Sequence, residues 1–258
     1  MEETVAKVVF KDEGQVFLSL AKTLQSLDMQ MPMFFDKSKL VIQAIDPAHI
    51  AMLRTIFPKK WFEEWKYYTG FKDEERELSV EPDTMKQILS KAKKKDKISI
   101  AYAVERGKDL ERCLNVTVEN NRYKKEYKIE ASNIMDRAKY PKINLNTEVE
   151  MNTGDFVDHV KEISEYCDTI AITVDKGVFT MESYCDGDSI RITPEADILK
   201  FDMYAQAKYP ADYLTKLLPF VKIHDKMRIE FRSDYPLHIY LEKEGIKTDF
   251  LLAPRMSD

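Results

Sequence analysis

Residues 131–148 read Ala131-Ser132-Asn133-Ile134-Met135-Asp136-Arg137-Ala138-Lys139-Tyr140-Pro141-Lys142-Ile143-Asn144-Leu145-Asn146-Thr147-Glu148. The stretch has neither a 3.6-residue apolar period nor a clean alternation, so it predicts neither a helix nor an amphipathic strand. Tyr140-Pro141 biases Tyr140 toward extended backbone, because the proline ring clashes with a helical predecessor. The segment is expected to be an extended connector near the middle of a 258-residue chain. It decides the fold because the sequence on its two sides follows one schedule.

Before the connector, Thr4–Lys11 predicts a strand, and Val16, Phe17, Leu20, Leu24 and Leu27 mark one face of a helix over Gly14–Leu27. Strands are expected at Met29–Phe35, Leu40–Ile45 and Ile50–Phe57, then an aromatic extended stretch at Trp61–Phe71 and a strand at Leu78–Val80. Pro82 opens a second helix carrying Met85, Ile88, Leu89 and Ala92, since its missing N–H costs nothing in a first turn. Lys97–Val104, Cys113–Val118 and Tyr123–Ala131 finish the half as strands. After the connector come a strand at Glu148–Met151 and a helix at Gly154–Cys167, with Thr153 as the expected N-cap. Strands follow at Thr169–Val174, Val178–Tyr184, Ser189–Thr193 and Ile198–Ala207, then a helix opened by Pro210. Met227–Phe231, Leu237–Leu241 and Thr248–Leu252 close the chain as strands. Phe17 matches Phe156, Pro82 matches Pro210, and Lys97-Ile98-Ser99-Ile100 matches Lys226-Met227-Arg228-Ile229. An internal duplication follows. The fold class is α+β: two similar domains, each laying helices on one face of antiparallel sheets. The expected division is 1–131, a connector at 132–148, and 149–258.

The length permits one large or two ordinary domains, and 44% hydrophobic residues suffice for packed cores. The net charge of −5 excludes a uniformly basic nucleic-acid binder but not a basic face opposite an acidic one. Cys113, Cys167 and Cys185 are odd in number and unclustered, which offers no disulfide framework and no zinc spacing. Glu2, Glu3 and Lys7 stand where a signal peptide would be apolar, and no apolar run approaches the ~18 residues of a membrane span. No cofactor or metal is expected. Seven glycines form neither a dinucleotide fingerprint nor a phosphate loop. His49, His159, His224 and His238 are scattered, no serine sits in a nucleophile elbow, and Cys167 falls on an apolar helix face. Asp186-Gly187-Asp188-Ser189 looks like the start of a calcium loop but lacks its closing acid, so a solvated turn is expected.

The positive signal is lysine on and after the four helices: Lys22; Lys86 and Lys91, then Lys93-Lys94-Lys95; Lys161; and Lys216 and Lys222, with Lys208 before the last helix. If these helices share a face, Lys22, Lys86, Lys91, Lys93, Lys161, Lys216 and Lys222 form a surface that holds duplex DNA by its phosphates, without reading sequence. Ordinary solvated helix decoration is the competing explanation.

Four segments then resemble the sliding clamps of the proliferating cell nuclear antigen type, found in archaea and eukaryotes. They are Leu40-Val41-Ile42-Gln43-Ala44-Ile45-Asp46-Pro47-Ala48-His49, Tyr140-Pro141-Lys142-Ile143-Asn144-Leu145, Ser233-Asp234-Tyr235-Pro236-Leu237 and Leu251-Leu252-Ala253-Pro254-Arg255. Their order and spacing cover essentially the whole chain. The resemblance implies a processivity factor without catalytic activity: a ring of three two-domain subunits, helices lining the hole and sheets forming the wall. It would encircle duplex DNA and tether DNA polymerase, clamp loader, flap endonuclease and ligase in replication and repair. Such partners insert a short peptide into a pocket, carried over here to Ile45, His49, Ile50, Met52, Ala138, Tyr140, Pro141, Pro236, Leu251, Ala253 and Pro254. Asp136, Arg137 and Lys139 would add charge to its connector wall.

Ring closure would come from pairing of edge strands: Tyr123, Lys125, Tyr127 and Ile129 on one edge, with Lys124 and Lys128, against Ser189, Ile190, Arg191 and Ile192 on the other. A cytoplasmic or nucleoid location follows for an archaeal clamp, a nuclear one for a eukaryotic clamp. The departures are Gln25, Gln87, Ser90 and Asp158, where relatives are basic, and the long Trp61–Phe71 aromatic stretch. A paralogue acting within a mixed ring, or as a scaffold, is the second reading. A metal-dependent nuclease is the third and needs a carboxylate cluster that no spacing supplies.

Overall fold

A computed structural model describes residues 2–11, 14–107, 109–134, 138–185, 187–202 and 204–255. Two compact units emerge. The first is Met1–Ala44, Arg54–Ala138 and Glu244–Ile246; the second is Ile45–Leu53, Lys139–Lys243 and Lys247–Asp258. Short pieces of each half thus belong with the other half's core.

In the first unit, β1 (Glu2–Val9), β5 (Glu64–Tyr67), β7 (Lys97–Arg106), β8 (Leu110–Asn120) and β9 (Tyr123–Ala131) form one antiparallel sheet in the order β5-β1-β7-β8-β9. β2 (Met31–Phe35), β3 (Lys39–Ile45), β4 (Ala51–Pro58) and β6 (Glu77–Val80) run in the order β4-β3-β2-β6. Helix α1 (Gln15–Ser26) buries Phe17, Leu20 and Leu24, and packs against α2 (Pro82–Leu89), which buries Met85, Ile88 and Leu89. Gly14 precedes α1 at φ +73°, and a Cβ there would lie 3.1 Å from Ile98, so glycine alone suits this turn. An aromatic cluster fills the core: Phe10 and Phe17 have ring centroids 5.0 Å apart, Phe17 and Phe57 5.6 Å, and Phe57 and Trp61 5.2 Å. The Trp61–Phe71 stretch is therefore not one extended segment. Trp61 ends a 3₁₀ turn and is buried, β5 takes only Glu64–Tyr67, and Phe71 lies beneath the Arg106 guanidinium.

The second unit repeats this plan. β10 (Thr147–Asn152), β14 (Asp197–Lys200), β16 (Lys226–Phe231), β17 (Leu237–Lys243) and β18 (Ile246–Leu252) follow the order β14-β10-β16-β17-β18. β11 (Thr169–Asp175), β12 (Val178–Cys185), β13 (Asp188–Ile192) and β15 (Tyr204–Pro210) follow β13-β12-β11-β15. α3 (Thr153–Ser164) buries Phe156, Val160 and Ile163 and packs against α4 (Ala211–Val221), which buries Leu214, Leu217 and Leu218. Strand for strand the two orders coincide. Met33 opposes Ile42 in the first unit as Ile172 opposes Met181 in the second. Phe156, Ile172 and Met181 follow Phe17, Met33 and Ile42 at one constant spacing.

Three local expectations need correcting. The N-cap of α3 is Asn152, and Thr153 is its first residue, whose Oγ1 donates instead to the His224 carbonyl. Pro210 is the N-cap of α4, so the helix begins at Ala211. Ile198–Ala207 is two strands, because β14 pairs with β10 while β15 pairs with β11. Met203, between them, lies outside the described residues, as do Met135, Asp136, Arg137 and Asp186.

Candidate nucleic-acid interface and assembly edges

The helix pairs differ in charge. α1 contributes Lys22 and α2 contributes Asp83 and Lys86, leaving +1. α3 contributes Asp155, Asp158 and Glu162 against Lys161, and α4 Asp212 against Lys216, leaving −2 over the carboxylates and lysines. Pairing matters as much as number. Asp83 accepts from Gln25 Nε2 at 2.6 Å and Gln87 Nε2 at 2.5 Å, and lies 3.4 Å from Lys86 Nζ. Lys86 also donates to Gln25 Oε1 at 2.7 Å. Lys216 sits 3.4 Å from Asp212 and 5.2 Å above the Tyr213 ring. Lys22, Lys91, Lys161 and Lys222 are exposed and form no ion pair among the described residues.

Lys93 is not on α2 but in the turn that leads to β7. With Lys94, Lys95, Lys97, Arg122 and Tyr123 it lines a groove of about 610 Å³. Beneath lies Asp96, 2% exposed, which accepts from the Lys93 backbone N–H at 2.8 Å, Asn120 Nδ2 at 2.6 Å and the Tyr123 hydroxyl at 2.6 Å. The Lys93 amide, Tyr123 and Asn120 hold the Asp96 carboxyl below its usual range, and the same bond raises the Tyr123 phenol. Asp96 thus ties the α2–β7 turn to the β8–β9 turn. Glu119, the one acid in the lining, stands opposite Lys97 and Lys124 across the strands.

β9 ends the first sheet and β13 ends its own. On β9, Tyr123 and Tyr127 are half-buried, Lys124, Lys125 and Lys128 exposed, and Ile129 buried. Lys125 Nζ lies 4.6 Å over the Tyr123 ring. On β13, Ser189 and Arg191 are exposed, Ile190 and Ile192 half-buried, and Arg191 bonds Glu182 at 2.7 Å. By strand order the counterparts of these edges in the repeat are β18 and β4.

Ile45, His49, Ile50, Met52, Tyr140, Pro141, Pro236, Leu251, Ala253 and Pro254 fall in the second unit. Ala138 falls in the first, where its carbonyl accepts from Gln43 Nε2. Asp46 organises the loop before β4 by accepting from Ile50 N at 2.7 Å, Ala51 N at 2.6 Å and the Tyr213 hydroxyl at 2.8 Å. Burial and this bond push the Tyr213 phenol up to about 12. His49 takes φ +59° in that loop and is exposed. Ala253 N donates to Ile50 O at 2.8 Å, so these two residues are brought together. Met52 and Leu251 are buried, at 7% and 6% exposure, while Tyr140, Pro236 and Pro254 are half-buried and Pro141 is exposed. Sequence reasoning missed Asp83, Asp96 and Arg122. Only Asp96, a lone acid in a lysine run, left a local signal.

No family model matches the sequence. Among curated proteins, the DNA polymerase sliding clamp of Methanococcus maripaludis is 28% identical over 234 residues, covering 86% of this chain and 88% of that one. The sliding clamp of Archaeoglobus fulgidus is 25% identical over 247 residues, covering 94% and 96%. Among solved structures, PCNA from Thermococcus kodakaraensis superposes with a TM-score of 0.82 at 18% identity, covering 97% of this chain and all of that one. Proliferating cellular nuclear antigen from Entamoeba histolytica gives 0.83 at 14% identity, over 98% of this chain. The fold is the clamp fold. Along nearly its whole length the chain is similar in sequence to archaeal DNA polymerase sliding clamps, and in fold to structures of proliferating cell nuclear antigen.

Proposed function

We propose that the chain is a DNA polymerase sliding clamp, three copies of which close into a ring around duplex DNA. The observation that carries the ring is the pair of free edges. β9 ends the first unit's five-stranded sheet and β13 ends the second unit's four-stranded sheet, each with a strand on one side only among the described residues. Joining β9 of one copy to β13 of the next is a head-to-tail contact that closes when its rotation allows. Tyr123, Lys125, Tyr127 and Ile129 meet Ser189, Ile190, Arg191 and Ile192 there, and pairing relieves both edges of open backbone groups. In this reading 1–131 and 149–258 are the clamp domains, joined by 132–148.

Lys22, Lys86, Lys91, Lys93, Lys161, Lys216 and Lys222 face the DNA, and contact with phosphate carries no sequence information. The helix charges support a hold on DNA that is stronger on the α1–α2 side. The loop tied by Asp46, with Ile45, His49, Ile50, Met52, Ala138, Tyr140, Pro141, Pro236, Leu251, Ala253 and Pro254, receives short anchor peptides of polymerase, clamp loader, flap endonuclease and ligase. The chain acts by tethering, without a catalytic centre of its own, in the compartment that holds the chromosome. Among the described residues no helix is long and apolar enough to cross a membrane.

The test is topological. Protein assembled on a nicked circular plasmid is expected to stay bound through a high-salt wash and to leave when the plasmid is linearised. Equal retention on both forms would replace encirclement with ordinary binding.

A further inference from the structure

Cys167 and Cys185 both belong to the second unit, and the fold of that unit brings them to one place. Cys167 follows α3 and is 8% exposed, and its amide donates to the Ile163 carbonyl at the helix end. Its Sγ donates to the Tyr184 carbonyl at 3.0 Å. Peptide geometry puts that oxygen ~2.8 Å from the Cα of the next residue, so Cys167 Sγ lies within about 6 Å of the Cys185 Cα. A second bond stitches the same place, since Ser183 Oγ donates to the Thr169 carbonyl at 2.6 Å.

Side-chain direction agrees. On β12, Phe179, Met181 and Ser183 are buried and Tyr184 is 64% exposed, so the alternation turns Cys185 inward with Ser183. α3 packs its buried face against β11 and β12 on that inward side, and Cys167 leads from its end. The two thiols therefore share one face of the sheet. Cys185 is half-buried and Cys167 is buried, so an oxidant in solvent reaches Cys185 first. Cys113, in the first unit, differs. Its thiol donates to Glu2 Oε1 at 3.5 Å, and burial beside that carboxylate pushes it up, which keeps it protonated and unreactive.

We propose that Cys167 and Cys185 are a peroxide-sensitive pair that closes into a disulfide within the second unit. The Cys185 thiolate attacks one oxygen of hydrogen peroxide, the O–O bond breaks, and the leaving hydroxide takes up a proton as water. Cys185 is then a sulfenic acid. Cys167 sulfur attacks it, the S–S bond forms, the S–O bond breaks, and the hydroxide leaves as water with the Cys167 proton. Two thiols and one peroxide give one disulfide and two waters. The bond fixes the end of α3 to the end of β12, where Cys185 opposes Asp188 and β13 begins. The chemistry requires neither DNA nor a second copy.

Mass spectrometry of the full chain in denaturant, after peroxide treatment, tests the pair. The expected product weighs about 2 Da less than the reduced chain and leaves only Cys113 open to alkylation, and dithiothreitol reverses both changes. Cys167→Ser should stop at the sulfenic acid on Cys185, which dimedone traps, and Cys185→Ser should give neither disulfide nor adduct. Peroxide that oxidises Cys185 in the unaltered chain without that loss of mass overturns the proposal. So does a disulfide to Cys113, a disulfide between copies seen as a doubled mass, or a loss of mass that survives Cys185→Ser.

Discussion

Phe17 and Phe156 hold the same place in two copies of one architecture, yet their surroundings have diverged. Around Phe17 lie Phe10, Phe57 and Trp61. Phe156 is equally buried, but among the described residues no aromatic ring packs against it. The difference continues outward. The α1–α2 pair is net basic and leads into the Lys93–Lys97 turn, whereas the α3–α4 pair is net acidic. On the sheet, His238 of β17 bonds Glu230 at 3.3 Å and Asp249 at 2.9 Å, and its counterpart on β8 is Asn115. The apolar period and the strand order are what folding requires, so both copies keep them. The filling and the charge are free to diverge, and they assign the copies different work.

The largest contrast lies in the cores. Phe17→Ala and Phe156→Ala each remove a fully buried ring and should cost about 3–5 kcal/mol. Phe17→Ala should cost about 1 kcal/mol more, because the neighbouring rings are deprived of an aromatic partner as well. Denaturant unfolding of both variants measures the gap, and equal losses would show that the aromatic cluster adds nothing beyond area.

The next contrast is titration. Burial alone would lower His238, but the hydrogen bonds its ring donates to Asp249 and Glu230 outweigh it and hold the imidazole up to about 9. A folded pKa above the unfolded ~6.5 gives stability that is full below pH ~6.5 and lost as pH rises through ~9, on the order of 3 kcal/mol at most. His238→Asn should flatten that alkaline slope, and Asn115 variants should leave it unchanged. A slope that survives His238→Asn would place the titrating group elsewhere.

The smallest contrast is on the helices. Lys22→Ala with Lys91→Ala should reduce the salt dependence of DNA retention by roughly 0.9 for each phosphate no longer neutralised. Lys161→Ala, amid Asp158 and Glu162, should change it less, and Asp158→Lys should strengthen retention. Equal effects from both helix pairs would remove the asymmetry.

The repeat was legible because its signals are local. Helix faces, Pro82 and the Lys97-Ile98-Ser99-Ile100 pattern depend only on neighbours in sequence. The break within Ile198–Ala207 was not legible, since no glycine or proline marks it and only the change of partner from β10 to β11 creates it. The site was legible in part. Lysine positions could be read, but Asp83 takes up Lys86 from one turn away, and no sequence period distinguishes a paired lysine from a free one. The membership of Ile45–Leu53 in the second unit depends on long-range pairing and left no trace in composition.

The mass of the purified protein at micromolar concentration tests the central claim most directly, the claim that β9 and β13 are two halves of one joint. The account predicts a single species of three chains that dissociates on dilution. A strict monomer would contradict it.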